Sequence, residues 1–296
     1  MNLFAFDDAA CAELAERQGT PAFAYSRAAA EAQVHRLRAV LPARVRLAYA
    51  VKANPLPNLL RTFGTMGLSF DCASLGELNR VKELDLPEGR TFFAGPGKRR
   101  EELELARALG VRIQAEGWED LLRLNELASK PVAVNLRVHP AQGVEESNRI
   151  IGGVGPSAFG VDAEQVPELL LRAQALAHVR IRGLHVFTAS NQREAGRLLA
   201  TYAMVLDLAQ GLTESQGLDL QQIDLGGGLG VPYAPDEPEL DLEALGRGLG
   251  ELLDAHPWFQ GEVILEPGRF LAAPCGVYLA RVVRIKESRG TRFAIL

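Results

Sequence analysis

Apolar and polar positions alternate in short runs along most of this chain, and each run gives way to a stretch with helical spacing. In "VRLAYAVKA" (45–53), Leu47, Tyr49 and Val51 alternate with alanines, the two-residue period of a strand. Similar runs follow at "LSFDCAS" (68–74), "RTFFAG" (90–95), "VRIQAE" (111–116) and "VAVNLRVHP" (132–140). Three more complete the set, "VRIRGLHVFT" (179–188), "QQIDLGGG" (221–228) and "EVILEPG" (262–268). Between them, segments such as "REELELARALG" (100–110), "WEDLLRLNELA" (118–128) and "LDLEALGRGLGELLDA" (240–255) space leucines as amphipathic helices do. Strict β/α alternation predicts parallel strands with right-handed crossovers. Eight such units predict an α/β fold of the (β/α)8 barrel type ahead of an open doubly wound sheet.

The ends of the chain do not follow this period. "FAFDDAACAELAERQGTPAFAYS" predicts a short helix and then a strand, "PAFAYS" (21–26), outside the barrel. The tail 277–296 is rich in strand formers. Three parts are therefore expected. Residues 1–40 belong partly to a β-rich domain, 41–275 form the barrel, and 276–296 start a C-terminal β-domain that is left incomplete.

Composition narrows the function. At 47% hydrophobic and 23% charged, the chain has the balance of a soluble globular protein, and 296 residues suffice for one large domain or two ordinary ones. A net charge of −5 without a basic, aromatic-interleaved stretch argues against a nucleic-acid partner. No segment has the apolar length of a membrane span, and the acidic N-terminal segment is unlike a signal peptide. Cys11, Cys72 and Cys275 are odd in number and far apart, which points to a reducing cytoplasm. The five histidines (His35, His139, His178, His185 and His256) show no zinc-ligand spacing, so no metal is expected.

Barrel enzymes carry their reagents at the C-terminal ends of the strands. Here those ends bear Lys52, Asp71 with Ser74, Glu116, Arg137 with His139, His185, Gly226-Gly227-Gly228, and Glu266 with Gly268 and Arg269. Lys52 either snorkels out of the barrel mouth or serves as a Schiff-base lysine whose pKa falls on burial. The run "DLGGGLGVPY" (224–233) is followed at once by Pro232, Pro235 and Pro238. A dinucleotide-type helix is therefore not expected there, and the loop reads as a tight turn or an anion cradle. "EPGR" (266–269) is either a rim ion pair or two charges with separate tasks, Arg269 toward a phosphate and Glu266 toward a cationic ring nitrogen. Ser74 with Glu77 fits a helix capping box. Arg137 inside a strand requires an acidic partner or an anion.

In their order along the chain, "YAVKANP", "FDCASLGEL", "NLRV", "GLHV", "IDLGGGLG" and "EPGRF" resemble the fold type III, alanine-racemase-like, pyridoxal-phosphate enzymes. The resemblance is to their decarboxylase branch, which includes diaminopimelate and ornithine decarboxylases. It implies pyridoxal 5′-phosphate held through a Schiff base to Lys52, with His185 stacked on the ring and Glu266 at the ring nitrogen. Gly226, Gly227, Gly228, Gly268 and Arg269 would surround the phosphate, and Asp71 and Arg137 would support the lysine and ring-hydroxyl region. Ser190 would donate to the phosphate. Because "HVFTASNQ" is longer than the family's His-to-Ser spacing, Thr188 is a rival for that role.

Two departures accompany the resemblance. Ala158 in "SAFGV" stands where the family has a lysine, and the chain reaches Leu296 before the β-domain whose cysteine and tyrosine complete a partner's site in the homodimer. The expected reaction is decarboxylation of an α-amino acid or an amino-acid conjugate. A non-catalytic pyridoxal-phosphate-binding homologue and an amino-acid racemase are the alternatives. The segment "FTASNQREAGR" favours a carrier-bound or conjugated substrate, of siderophore or antibiotic type, over free diaminopimelate or ornithine.

Overall fold

A computed structural model describes residues 5–140, 155–187 and 190–296. The chain enters through helix α1 (Asp8–Gln18), strand β1 (Ala22–Tyr25) and helix α2 (Arg27–Val40). Strands β2 (Val45–Ala50), β3 (Ser69–Cys72), β4 (Thr91–Phe93), β5 (Arg112–Ala115) and β6 (Val132–His139) then pair in sequence order. A two-residue β7 (Val161–Asp162) hangs on β6. The ring continues with β8 (Val179–His185), β9 (Gln222–Asp224) and β10 (Glu262–Leu265), and β10 pairs with β2 to close it. All the ring pairings are parallel, so the predicted barrel is the observed one and each of the eight predicted runs supplies a strand.

The outer layer begins with α2 and continues with α3 (Pro57–Thr65), α4 (Leu75–Lys82), α5 (Arg100–Ala108), α6 (Trp118–Leu127), α7 (Val166–Ala173), α8 (Ala195–Gln216) and α9 (Leu242–Ala255). Local chemistry sets their starts. Pro57 occupies the first turn of α3, Ser74 Oγ accepts from Glu77 N–H at the start of α4, and Asp241 caps α9. Among the described residues no helix is long and apolar enough to cross a membrane.

The two-residue period sorts each barrel strand into two faces. Leu47, Tyr49 and Val51 point outward into the main core, where the Tyr49 ring packs 4.4 Å from that of Phe63 on α3. Burying each such side chain contributes roughly 1.5–3 kcal/mol, and this outer layer carries most of the stability. The inward face is different. Ala48, Phe92 and Ile264 form a small separate apolar plug, and much of the rest is polar and buried: Gln114, Asn135, Gln222 and Asp224. Gln222 donates to Glu262, which pairs in turn with Arg46. Lys52 belongs to the same alternate series as Arg46, Ala48 and Ala50, which is why a lysine follows an apolar strand.

Both ends of the chain lie outside the ring. Strand β11 (Gly276–Leu279) pairs antiparallel with β1, and β12 (Arg284–Ser288) and β13 (Thr291–Ile295) form an exposed hairpin. A short helix, α10 (Arg269–Ala272), leads from β10 toward β11.

Helix α9 rests on the end of α2 at Gly246, where a Cβ would fall well inside contact distance of the Val40 carbonyl. Gly246→Ala should therefore lower stability by about 1–3 kcal/mol through overpacking, although alanine is the better helix former. Gly211→Ala on α8, where a Cβ meets nothing within 4 Å, should instead raise it by up to about 1 kcal/mol. Urea denaturation of both variants checks this, and a gain at both positions would contradict the packing account.

Candidate active site

The inward faces of the strands converge at the C-terminal end of the barrel. Lys52 sits in a one-turn helix, Val51–Ala53, directly after β2. Its Nζ lies 3.7 Å from Asp71 Oδ2 on β3 and 5.2 Å over the ring of Phe187, just beyond β8. Across the barrel, Gln114 Nε2 on β5 donates both to Asp224 Oδ2 (3.1 Å) at the end of β9 and to Glu266 Oε1 (3.0 Å) after β10. His185, the last residue of β8, approaches Glu266 Oε2 with Nε2 at 3.4 Å. All of these groups except Lys52 and Phe187 are buried.

Burial of so many acids on one face governs their protonation. Burial, reinforced by the nearby Glu266 charge, pushes Asp71 up to about 8. The same two causes raise Asp224 well above the usual carboxylate range. Glu266 is the exception. Burial works against its charge, but His185, Lys52 and the hydrogen bond from Asp224 outweigh it and hold the carboxyl at about 2. His185 is lowered by burial, with Glu266 opposing. Lys52 behaves differently from the sequence expectation of a depressed lysine. Burial does favour the neutral amine, but Asp71 and then Glu266 overcome it and the pKa is raised. Its side chain is half exposed and lies 3.7 Å from Asp71.

A cavity of about 580 Å³ opens over this cluster. Lys52, Ser190, Gly228, Glu266, Gly268 and Arg269 line it, and Phe187 joins them from just beyond β8. Phe23, Tyr25 and Tyr278 of the β1–β11 ribbon form an aromatic rim. Asp71, Arg137, His185, Gly226 and Gly227 stand behind the wall rather than on it. The glycine loop has no following helix before Leu242, as its prolines predict. Gly226 and Gly228 have φ of 70° and 99°, and a Cβ at Gly227 would meet the Glu266 carbonyl oxygen at 2.6 Å. Only glycine lets this backbone pass between β8 and β10. Thr188, the rival to Ser190, lies outside the described residues.

Arg137 finds the acidic partner its position requires. Its Nη1 donates to Glu116 Oε1 at 3.0 Å, and its guanidinium lies 4.7 Å over the Phe159 ring. Glu116 Oε2 also accepts from Gly160 N–H. Beside it Lys98, only 3% exposed, donates to Asp120 Oδ2 at 3.0 Å and to the Gly95 carbonyl. Sequence reasoning missed Lys98, Gln114 and Asp224. For Lys98, in "GPGKRRE", no pattern distinguishes it from a surface loop. Gln114 and Asp224 carried a usable signal, since each is a polar residue at an alternate position of an apolar strand.

A closed barrel with a lysine facing carboxyl groups at its mouth, and a glycine loop beside an arginine, is laid out to hold an aldehyde cofactor that bears a phosphate. Comparison with known proteins agrees. Residues 27–273 match the family described as pyridoxal-dependent decarboxylase, pyridoxal binding domain, and the chain belongs to that family. It is 31% identical to the L-glutamyl-(BtrI acyl-carrier protein) decarboxylase of Niallia circulans, over 100% of this chain and 70% of that protein. It is also 31% identical to diaminopimelate decarboxylase of Zymomonas mobilis, over 98% of this chain and 70% of that protein. Diaminopimelate decarboxylase from M. jannaschii, solved with L-lysine, superposes with a TM-score of 0.88 at 26% identity, covering 95% of this chain and 68% of that one. The chain thus spans about 70% of the length of these relatives.

The residues present fit pyridoxal phosphate. Glu266 offers an ionised carboxylate on the cavity wall, and Asp71 Oδ1 is buried without a hydrogen-bond partner. Arg269 contacts the Tyr233 ring and has no ion-pair partner among the described residues. His185, Asp224 and Glu266 have polar atoms within 4.8 Å of one another, a spacing a metal ion could use. The Gln114 amide, however, already directs its N–H groups at both carboxyls.

Asp71 makes stability depend on pH. The folded state keeps its proton up to about 8, whereas the unfolded chain releases it near 4. Folding is therefore favoured least at the alkaline end, and stability falls as pH rises between those values. Asp71→Asn should flatten that slope in urea denaturation across the same range. An unchanged slope would contradict the protonated assignment.

Proposed function

We propose that this chain is the cofactor-binding part of a decarboxylase that acts on an α-amino acid or an amino-acid conjugate, with Lys52 as the Schiff-base lysine. The observation that carries the reading is Glu266, a buried carboxylate kept ionised on the cavity wall. Pyridoxal phosphate supplies an electron sink when its ring nitrogen is protonated, and a fixed negative charge is what keeps such a proton in place. An arginine at that position would weaken the sink, so Glu266 supports loss of CO2 over racemisation.

The other residues take roles that follow from their positions. Lys52 Nζ must give up a proton before its lone pair can react, and Asp71 Oδ2 is the nearest base, at 3.7 Å. Asp71 can take that proton only in its ionised form, which is the minor one below about 8, and Lys52, itself raised, holds its proton the more tightly. The glycine loop and Arg269 form the end of the cavity suited to a phosphate dianion, and Ser190 lines the same end. Asp224 and Gln114 hold Glu266 by hydrogen bonds, and the Glu116–Arg137 pair stiffens the neighbouring strands.

For the substrate, the rim supports a conjugate. Phe23, Tyr25 and Tyr278 offer it an aromatic surface at the cavity mouth. The Niallia relative is named for a glutamyl group on an acyl-carrier protein, which is consistent with this reading. The reading carries with it a homodimer in a reducing cytoplasm, with β1 and β11 belonging to a second, β-rich domain.

Borohydride reduction of the chain with added pyridoxal phosphate should leave a pyridoxyl group on the Lys52 peptide, and Lys52→Ala should abolish it. An adduct elsewhere would contradict the assignment. In turnover assays, CO2 release from a glutamyl-carrier conjugate should exceed release from free diaminopimelate. Glu266→Gln should lower the rate on the order of a hundredfold. Loss of optical activity without CO2 would instead identify a racemase.

A further inference from the structure

His185 and Phe187 are two residues apart at the end of β8, so they share the inward face in successive layers. His185 is only 1% exposed and is not among the residues lining the cavity. Among the described residues its ion-pair contact is with Glu266, 3.4 Å from Nε2. Phe187 lies one layer nearer the mouth, is partly exposed and lines the cavity. Its ring is bracketed by two groups of the site. Lys52 Nζ lies 5.2 Å from its centroid, and its edge runs along the glycine loop, where a Cβ at Gly226 or Gly227 would come within 3.2 or 3.3 Å of it.

A planar ring entering this cavity therefore meets Phe187 before it can meet His185. We propose that Phe187, and not His185, offers the flat face for the pyridine ring, and that His185 is a positioning residue held beneath it against Glu266. This inference rests on the pyridoxal phosphate reading above. It replaces the stacking role that the resemblance gave to His185, and it accounts for the long spacing from His185 to Ser190. Counted from Phe187, Ser190 is three residues on rather than five.

The exchange has chemical consequences. A benzyl ring supplies area and a π face but no titrating group, so contact with the cofactor ring no longer depends on pH. The imidazole, withdrawn below, stays against the Glu266 carboxylate.

The test is a titration of the full chain with pyridoxal phosphate, read by the cofactor's visible absorption and induced circular dichroism, without substrate. Phe187→Leu keeps the apolar volume and removes the π face. It should weaken binding about five- to tenfold and reduce the induced dichroism, and Phe187→Tyr should restore both. His185→Asn should change affinity less than about threefold, below the stacking effect, yet shift the pH at which the visible band changes, because its partner is Glu266. Loss of affinity and dichroism in His185→Asn, with Phe187→Leu unchanged, would overturn the proposal. If the parent chain itself shows no borohydride-fixed label on Lys52, the underlying cofactor reading fails instead. Thermal melting of each variant separates these outcomes from misfolding.

Discussion

Three carboxyl groups, Asp71, Asp224 and Glu266, are buried at one end of the barrel, and the desolvation of that site allows only one of them to remain charged cheaply. Much of the rest of the site follows from which one it is. Gln114 donates to two of them, and this shared donor brings them together without choosing. The choice between these two is made by neighbours of Glu266, His185 from one side and Lys52, which also faces Asp71, from the mouth. Asp224, with Gly226 N–H as its further donor, is left protonated and becomes a hydrogen-bonding support. Asp71 is left near its midpoint beside Lys52. One ionised carboxylate, one titrating acid and one charged amine are thus set apart within a single layer.

That arrangement depends on a closed parallel ring. Each strand contributes its alternate residues inward, and the register places Arg137 opposite His185 and His185 opposite Asp224 across β6, β8 and β9. The apolar positions face the helices, so stability comes from outside the ring and the interior is free to be polar. A second charged group, Lys98 with Asp120 and Glu116 with Arg137, is paired off on the opposite wall by direct hydrogen bonds. Its charges are satisfied locally, which leaves the unbalanced charge on the side of Lys52 and Glu266.

The strands and the strand-end positions of most candidate site residues were legible because period two is visible in residue type. Leu47, Tyr49 and Val51 mark the outward face, and Lys52 falls on the other by parity alone. Tight turns were legible for similar reasons, as at the proline-flanked glycine loop and the Ser74 cap. Depth was not legible. His185 and Phe187 share a face, and sequence pattern cannot say which of them lies at the cavity surface. Nor does pattern report burial of a loop lysine such as Lys98, whose partner Asp120 sits in the first turn of a helix and reads as an ordinary exposed acid. The raised pKa of Lys52 escaped for the same reason, since it depends on how near two carboxyls from other strands approach.

The most direct measurement is the ionisation state of Glu266 at pH 7. Carbon-13 NMR of the chain labelled at glutamate side-chain carboxyls, with the Glu266 signal assigned by its loss in Glu266→Gln, reports it without cofactor or substrate. The account predicts the chemical shift of an ionised carboxylate at pH 7 that stays ionised well below pH 4. A protonated Glu266 at neutral pH would contradict it, because the charge meant for a ring nitrogen would then reside elsewhere in the cluster.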